Sequence, residues 1–222
     1  MTPKLTAVLL ISAAVLATVA FSALGSIFDY PDVLDHPAGQ VLADFHEHQG
    51  AVSTWFSVLA LSAALMAPIA IGVGRLSSDR AMRLAVPVGI AAAVVQVIGL
   101  LRWPILVPGY ADSGNTSAFS TAGDILGTAI GETIGYLLTA TWTVLVIVGL
   151  RQRLAGRWFD VLGIASAALV FVGVLSPLDL PLIDTANFFG YILWSAWLIA
   201  FAAVILVRER RGATTTAAAV TS

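Results

Sequence analysis

The residue best placed to do chemistry in this chain is Glu132, a carboxylate at the edge of a long apolar run, GDILGTAIGETIGYLLTATW (123–142). On a helix it shares a side with Tyr136, four positions on. Arg102, in LLRW, is the one arginine set apart from those that collect in the loops. At about 1.5 Å per residue, Arg102 lies roughly 28 Å from Arg83 and Glu132 roughly 28 Å from Arg151, near the far boundary of a hydrocarbon core about 30 Å thick. A charge at that depth calls for a partner or for snorkelling. Asn187 and Tyr191, in NFFGYILWSAW, fall at a similar level.

The expectation is a polar cluster of Arg102, Glu132 and Asn187, with Tyr136 and Tyr191 beneath it, inside the outer mouth of a helix bundle. Asp124 and Asp179 are substitute partners for the arginine. Three functional classes fit such a cluster. It would bind or move a small amphipathic or lipid-like molecule. Alternatively, Glu132 would act as general acid on an isoprenoid or lipid substrate, with Arg102 or the tyrosines stabilising charge. In the third, Arg102 and Glu132 are a structural salt bridge, Trp103, Trp142, Trp194 and Trp197 are packing or interface anchors, and the chain is a structural or partner-binding subunit. No catalytic residue is assigned. Gln96, deeper in its span, reads as an interhelical hydrogen-bond donor.

His46-Glu47-His48 invites a metal reading, but residues two apart on a helix point to different faces, unlike an i, i+4 ligand pair. No metal site is expected, and no cofactor. Cysteine is absent, which excludes disulfides, thiol nucleophiles and thiolate metal centres. There is no nucleotide-binding glycine loop, and the arginines are short loop-end anchors, so nucleic acid is not an expected partner.

The elements that must position these residues follow from composition. Of 222 residues 59% are hydrophobic and 11% charged, against about 25% charged in soluble domains, so the chain is read as integral to a lipid bilayer. Six apolar segments are long enough to span: Leu5 to Phe28, Ala51 to Gly74, Ala81 to Leu106, Ile125 to Leu150, Trp158 to Leu178 and Phe188 to Val207. The first is too long for the 7 to 15 residues of a signal-peptide core. Lys4, Arg75, Arg80, Arg83, Arg151, Arg153, Arg157, Arg208, Arg210 and Arg211 all fall on one side, so both termini are expected in the cytoplasm of a multi-pass cell-membrane protein.

The fold class is therefore all-α, a single six-span domain over 1–212 with a disordered cytoplasmic tail at 213–222. Within the outer loop 29–50, the stretch after Pro37 is expected to form an amphipathic helix lying on the outer surface. The outer loop 107–124 is polar, and either mobile or a lid.

Gly123, Gly127, Gly131 and Gly135 recur every four residues, a stripe suited to close helix contact, extended by Thr139 and Thr143. Glu132-x-x-Gly135-Tyr136-x-Leu138-x-x-x-Trp142 matches Asn187-x-x-Gly190-Tyr191-x-Leu193-x-x-x-Trp197 position for position, and Glu47-x-x-Gly50 opens the second span in a similar way. Three pseudo-repeated helical hairpins are the corresponding expectation.

Four stretches carry a family resemblance: Leu24-Gly25-Ser26-Ile27-Phe28-Asp29-Tyr30-Pro31-Asp32, Leu100-Leu101-Arg102-Trp103, the Gly131 to Trp142 motif and the Asn187 to Trp197 motif. With these the chain resembles the bacterial six-helix membrane family catalogued as domain-of-unknown-function 4386. The resemblance runs from the first span to the last and implies a six-span bundle. It supplies no activity and no functional residues.

Overall fold

The computed structural model describes residues 1–150, 154–178 and 180–220, with side chains described to residue 211. In chain order the helices are α1 (Pro3–Phe28), a 3-10 turn (Asp32–Asp35), α2 (Ala38–Glu47), α3 (Gln49–Gly74), α4 (Arg80–Ile105), α5 (Val107–Ser113) and α6 (Thr116–Ala122). A π-helical stretch (Gly123–Ile134) leads into α7 (Gly135–Leu150), followed by α8 (Arg157–Val172), a second 3-10 segment (Gly173–Leu178) and α9 (Ile183–Val220). The tail expectation falls on side chains outside the described set.

Six of these helical runs are long and apolar enough to cross a membrane, at the positions expected from hydropathy. They form a closed ring in chain order: α1 on α3, α3 on α4, α4 on α7, α7 on α8, α8 on α9, and α9 back on α1. Closure suits spans joined by short connections, since consecutive helices become antiparallel neighbours. Side chains such as Val8, Ile11, Val15 and Val19, three or four apart on α1, stay exposed and make a lipid-facing apolar stripe.

Two cores fill the ring. Toward the end that carries the termini, Trp142, Phe159, Trp197 and Phe201 pack with Leu10, Ile69 and Met82. Toward the opposite end, Phe28, Phe45, Phe56 and Trp103 pack with Leu24, Val41, Leu42 and Val52. The second core explains how the two outer segments are arranged. The helix after Pro37 forms as α2, but its apolar residues Val41, Leu42 and Phe45 are buried in the chain's own core, not laid on a bilayer surface. The stretch 107–124 is helical: Gly114 takes a left-handed turn (φ 64°), Asn115 Oδ1 accepts from Ala118 N at 3.0 Å, and Val107, Tyr110 and Phe119 pack on the aromatic core. Together α2, α5 and α6 cap that end of the ring.

The helices are locked by glycines at regular heights. A Cβ on Gly149 would meet Met82, one on Gly89 would meet the Trp142 indole, and one on Gly135 would meet Gln96. Those levels step by seven residues on both α4 and α7, which keeps one face on the neighbour. Above Gln96 the steps diverge: Gly99 lies on Gly131 and Arg102 on Gly127, so α4 advances by three residues where the π-helical stretch advances by four. A helix closed by i→i+5 bonds holds more residues per unit length, and the register slips accordingly. The α8–α9 pair repeats the device lower down, with Gly163 against Trp197 and Gly190 against Val170.

Candidate functional site

Between the two cores lies a polar layer built on α4, the π-helical stretch, α7 and α9. Arg102 is buried; its Nη1 donates to the Gly99 carbonyl at 2.7 Å, and its guanidinium carbon lies 5.4 Å from the Trp103 ring centroid. Gly127 leaves the room the guanidinium occupies: a Cβ there would fall 2.6 Å from the guanidinium carbon. Four of the five guanidinium N–H groups therefore have no hydrogen-bond partner among the described residues.

Glu132 is half-buried and makes no hydrogen bond to a described residue. The salt bridge considered for Arg102 and Glu132 is not formed; His46 and Asp112 make an ion contact at 3.6 Å between two exposed side chains. The register explains it. Gly149 abuts Met82; from that shared level Arg102 is 20 residues along α4, whereas Glu132 is 17 residues along its own span. Arg102 is level with Gly127, whereas Glu132, next to Gly131, is level with Gly99, roughly one turn deeper.

Tyr30, in the link between α1 and the first 3-10 turn, lies within electrostatic range of both charges. Burial pushes its phenol up to about 12; the Glu132 carboxylate raises it further and the Arg102 guanidinium lowers it. The hydroxyl therefore remains a neutral donor throughout the physiological range. Tyr136 is within electrostatic range of Glu132, Tyr191, Tyr30 and Asp184, and its ring meets that of Tyr191 edge-on at 5.7 Å. Three phenols, of Tyr30, Tyr136 and Tyr191, thus lie within electrostatic range of one carboxylate.

Asn187 takes a separate place. It is buried, its Nδ2 donates to the Val170 carbonyl at 3.0 Å, and it packs with Tyr136 against Gly173, where a side chain of any size would collide. It fastens α9 to the 3-10 end of α8. Gln96 acts as the interhelical donor expected of it, from Nε2 to Thr139 Oγ1 at 2.7 Å. A polar ladder continues from there: Thr143 Oγ1 donates to the Thr139 carbonyl at 2.9 Å, and Trp194 Nε1 donates to Thr143 Oγ1 at 2.9 Å. Of the substitute partners, Asp124 lies in the first turn of the π-helical stretch and Asp179 lies outside the described residues.

Sequence reasoning missed Tyr30 and Asp184. Tyr30 belongs to the SIFDYPD motif, yet nothing in its spacing says that the link after α1 turns inward. Asp184 Oδ1 accepts from Ser176 Oγ at 2.6 Å, across the α8–α9 connection. The glycine stripe is now accounted for within the chain, because Gly127, Gly131 and Gly135 face α4; the partner-subunit reading loses the feature that suggested it. The histidines lie on the cap, and among the described residues no three His, Asp or Glu side chains converge as metal ligands do.

With no direct ion pair, Arg102→Gln is expected to lose about 2 kcal/mol through its charged hydrogen bond and ring contact. Glu132→Gln should be neutral or stabilising, and the double variant should melt with Arg102→Gln. Recovery of the double variant to wild-type melting in detergent would show a coupled pair instead.

No curated protein and no solved structure matches the chain. A family model described as "Domain of unknown function (DUF4386)" matches residues 5–202, from the first span into the sixth and including every residue of the polar layer, and the chain belongs to that family.

Proposed function

We propose that this membrane protein binds a small amphipathic or lipid-like molecule, with the polar head held by Tyr30, Arg102, Glu132, Tyr136 and Tyr191. The observation that carries the reading is that an arginine and a glutamate share the polar layer without forming an ion pair, with one phenol within electrostatic range of both. Ionisable groups are costly within a membrane, and a pair that only stabilised the fold would be in contact. Arg102 supplies donors, Glu132 an acceptor and the phenols both, which suits a head group carrying hydroxyl or amide functions.

Binding fits better than conduction. Below the polar ladder the ring is closed by Trp142, Trp197, Phe159 and Phe201, all buried, so the described residues offer no continuous polar path to the end that carries the termini. By the arginine distribution that end is cytoplasmic and the capped end faces out, in the cell membrane. The three phenols within electrostatic range of the carboxylate favour a second reading, in which Glu132 is the general acid of a lipid-modifying enzyme.

The test is a thermal-shift series on purified protein with single-chain amphiphiles of equal chain length, a monoacylglycerol and a fatty amide against the parent hydrocarbon. The head-bearing compounds should raise the melting temperature, and Tyr136→Phe with Arg102→Gln should remove the rise. Equal shifts for all three compounds would overturn the proposal. Turnover of the amide or ester abolished by Glu132→Gln would select the enzymatic reading.

A further inference from the structure

The polar layer holds its charges apart, and their separation narrows the head group it can take. The Arg102 guanidinium is 8% exposed, donates to the Gly99 carbonyl, and keeps four N–H groups without a partner among the described residues. Glu132, roughly one turn deeper, has Asp184 within electrostatic range as a second negative charge. Tyr30, Glu132 and Tyr136 are each half-buried, so the carboxylate side of the layer keeps accessible surface.

The charge of the head decides how well these groups are answered. A neutral head makes hydrogen bonds but leaves both charges uncompensated in a place where that is costly. An anionic head answers Arg102 and meets Glu132 and Asp184 as like charges. A purely cationic head answers the carboxylates and repels the guanidinium. A head that carries an anion and a cation about one turn apart answers both ends at once.

We infer, on the strength of the head-group reading given above, that the head is a zwitterion, a phosphate ester on Arg102 and a primary ammonium on Glu132, as in phosphoethanolamine. Phosphate is the anion that bilayer lipids present, and a guanidinium binds its oxygens in bidentate fashion. A primary ammonium has three N–H donors, which match the Glu132 carboxylate and the phenol oxygens of Tyr30 and Tyr136 within electrostatic range of it. A quaternary ammonium has no N–H to give. The short ethanolamine link is of the length of the single turn, about 5 Å, between the two charges.

The experiment is a set of thermal-shift titrations of the purified full chain in a non-ionic detergent, with lysophosphatidylethanolamine, lysophosphatidylcholine, lysophosphatidylglycerol and monoacylglycerol of one chain length. Lysophosphatidylethanolamine should bind roughly tenfold more tightly than the choline and glycerol heads, the factor for one charged hydrogen bond. Glu132→Gln should remove that preference and leave lysophosphatidylglycerol bound at least as well as before. Arg102→Gln should weaken every phosphate-bearing lipid, and Arg102→Lys should restore part of the loss, which separates a lost site from a lost fold. Equal binding of the ethanolamine and glycerol heads by the wild type, choline bound as tightly as ethanolamine, or a preference that survives Glu132→Gln each overturns the inference. If monoacylglycerol still shifts melting above the parent hydrocarbon while that ranking is absent, the head-group reading stands and only the zwitterion falls. If no head group matters, both fall. An equal shift from free phosphoethanolamine at the same concentration would assign the site to a soluble zwitterion and overturn the lipid-like ligand.

Discussion

Gly99→Ala is expected to destabilise the ring by about 1–3 kcal/mol, and Gly99→Leu to prevent its assembly altogether. The reason is that the obstacles are backbone. A Cβ on Gly99 would lie 2.7 Å from the Gly131 Cα and 2.9 Å from the Leu126 carbonyl oxygen, and neither can rotate away. Relief would have to separate α4 from the π-helical stretch, which also breaks the Gly127–Arg102 contact one level up. The same change graded along the stripe checks the argument. At Gly131 the nearest atoms stand at 3.0 Å, so alanine should cost less; at Gly127 the neighbour is the mobile end of Arg102, so it should cost less again. Gly123 has nothing within 4 Å, and Gly123→Ala should be neutral or stabilising. Melting curves of the four alanine variants in one detergent test the order, and a uniform loss across all four would refute it.

Trp103→Ala should cost about 3–5 kcal/mol, the range for deleting a buried aromatic side chain. Trp103 is 1% exposed and stacks on Phe56 with ring centroids 4.7 Å apart and planes 6° apart, while Phe28 and Phe119 meet it edge-on at 5.3 and 5.9 Å. Through these rings one side chain holds α1, α3, α4 and α6, so its loss should free the cap before the spans part. Limited proteolysis should then cut within 29–50 or 107–124 at temperatures where the wild type resists. Trp103→Phe should keep most of the stability, because the indole N–H is buried without a partner and its removal sacrifices no hydrogen bond. A cap that stays protease-resistant in Trp103→Ala would show that its helices are held from elsewhere.

Local properties of the chain determined the number and placing of the spans. Runs of some twenty apolar residues have few alternatives to a helix in a bilayer, because each must satisfy its own backbone. The helix after Pro37 was legible from its amphipathic pattern, and Gln96 as an interhelical donor from its being polar deep within a span. Trp142 and Trp197, at the same place in the two matched stretches, lie against Gly89 and Gly163, glycines outside those stretches.

What the tertiary structure alone decided was register and direction. Residue counts assume that neighbouring spans start level and that every turn advances alike. The Gly149–Met82 contact sets the offset between α7 and α4, the π-helical stretch changes the advance per turn, and an apparent ion pair becomes two charges a turn apart. The direction of α2 was equally hidden, because an apolar face looks the same in the sequence whether it meets lipid or Phe28 and Trp103. Tyr30 comes within electrostatic range of the carboxylate, and packs edge-on against Phe21 and Phe56, because of how the link after α1 folds. Hydropathy and periodicity are properties of one segment at a time, whereas which side chains meet depends on the packing of several, and that is where the polar layer is made.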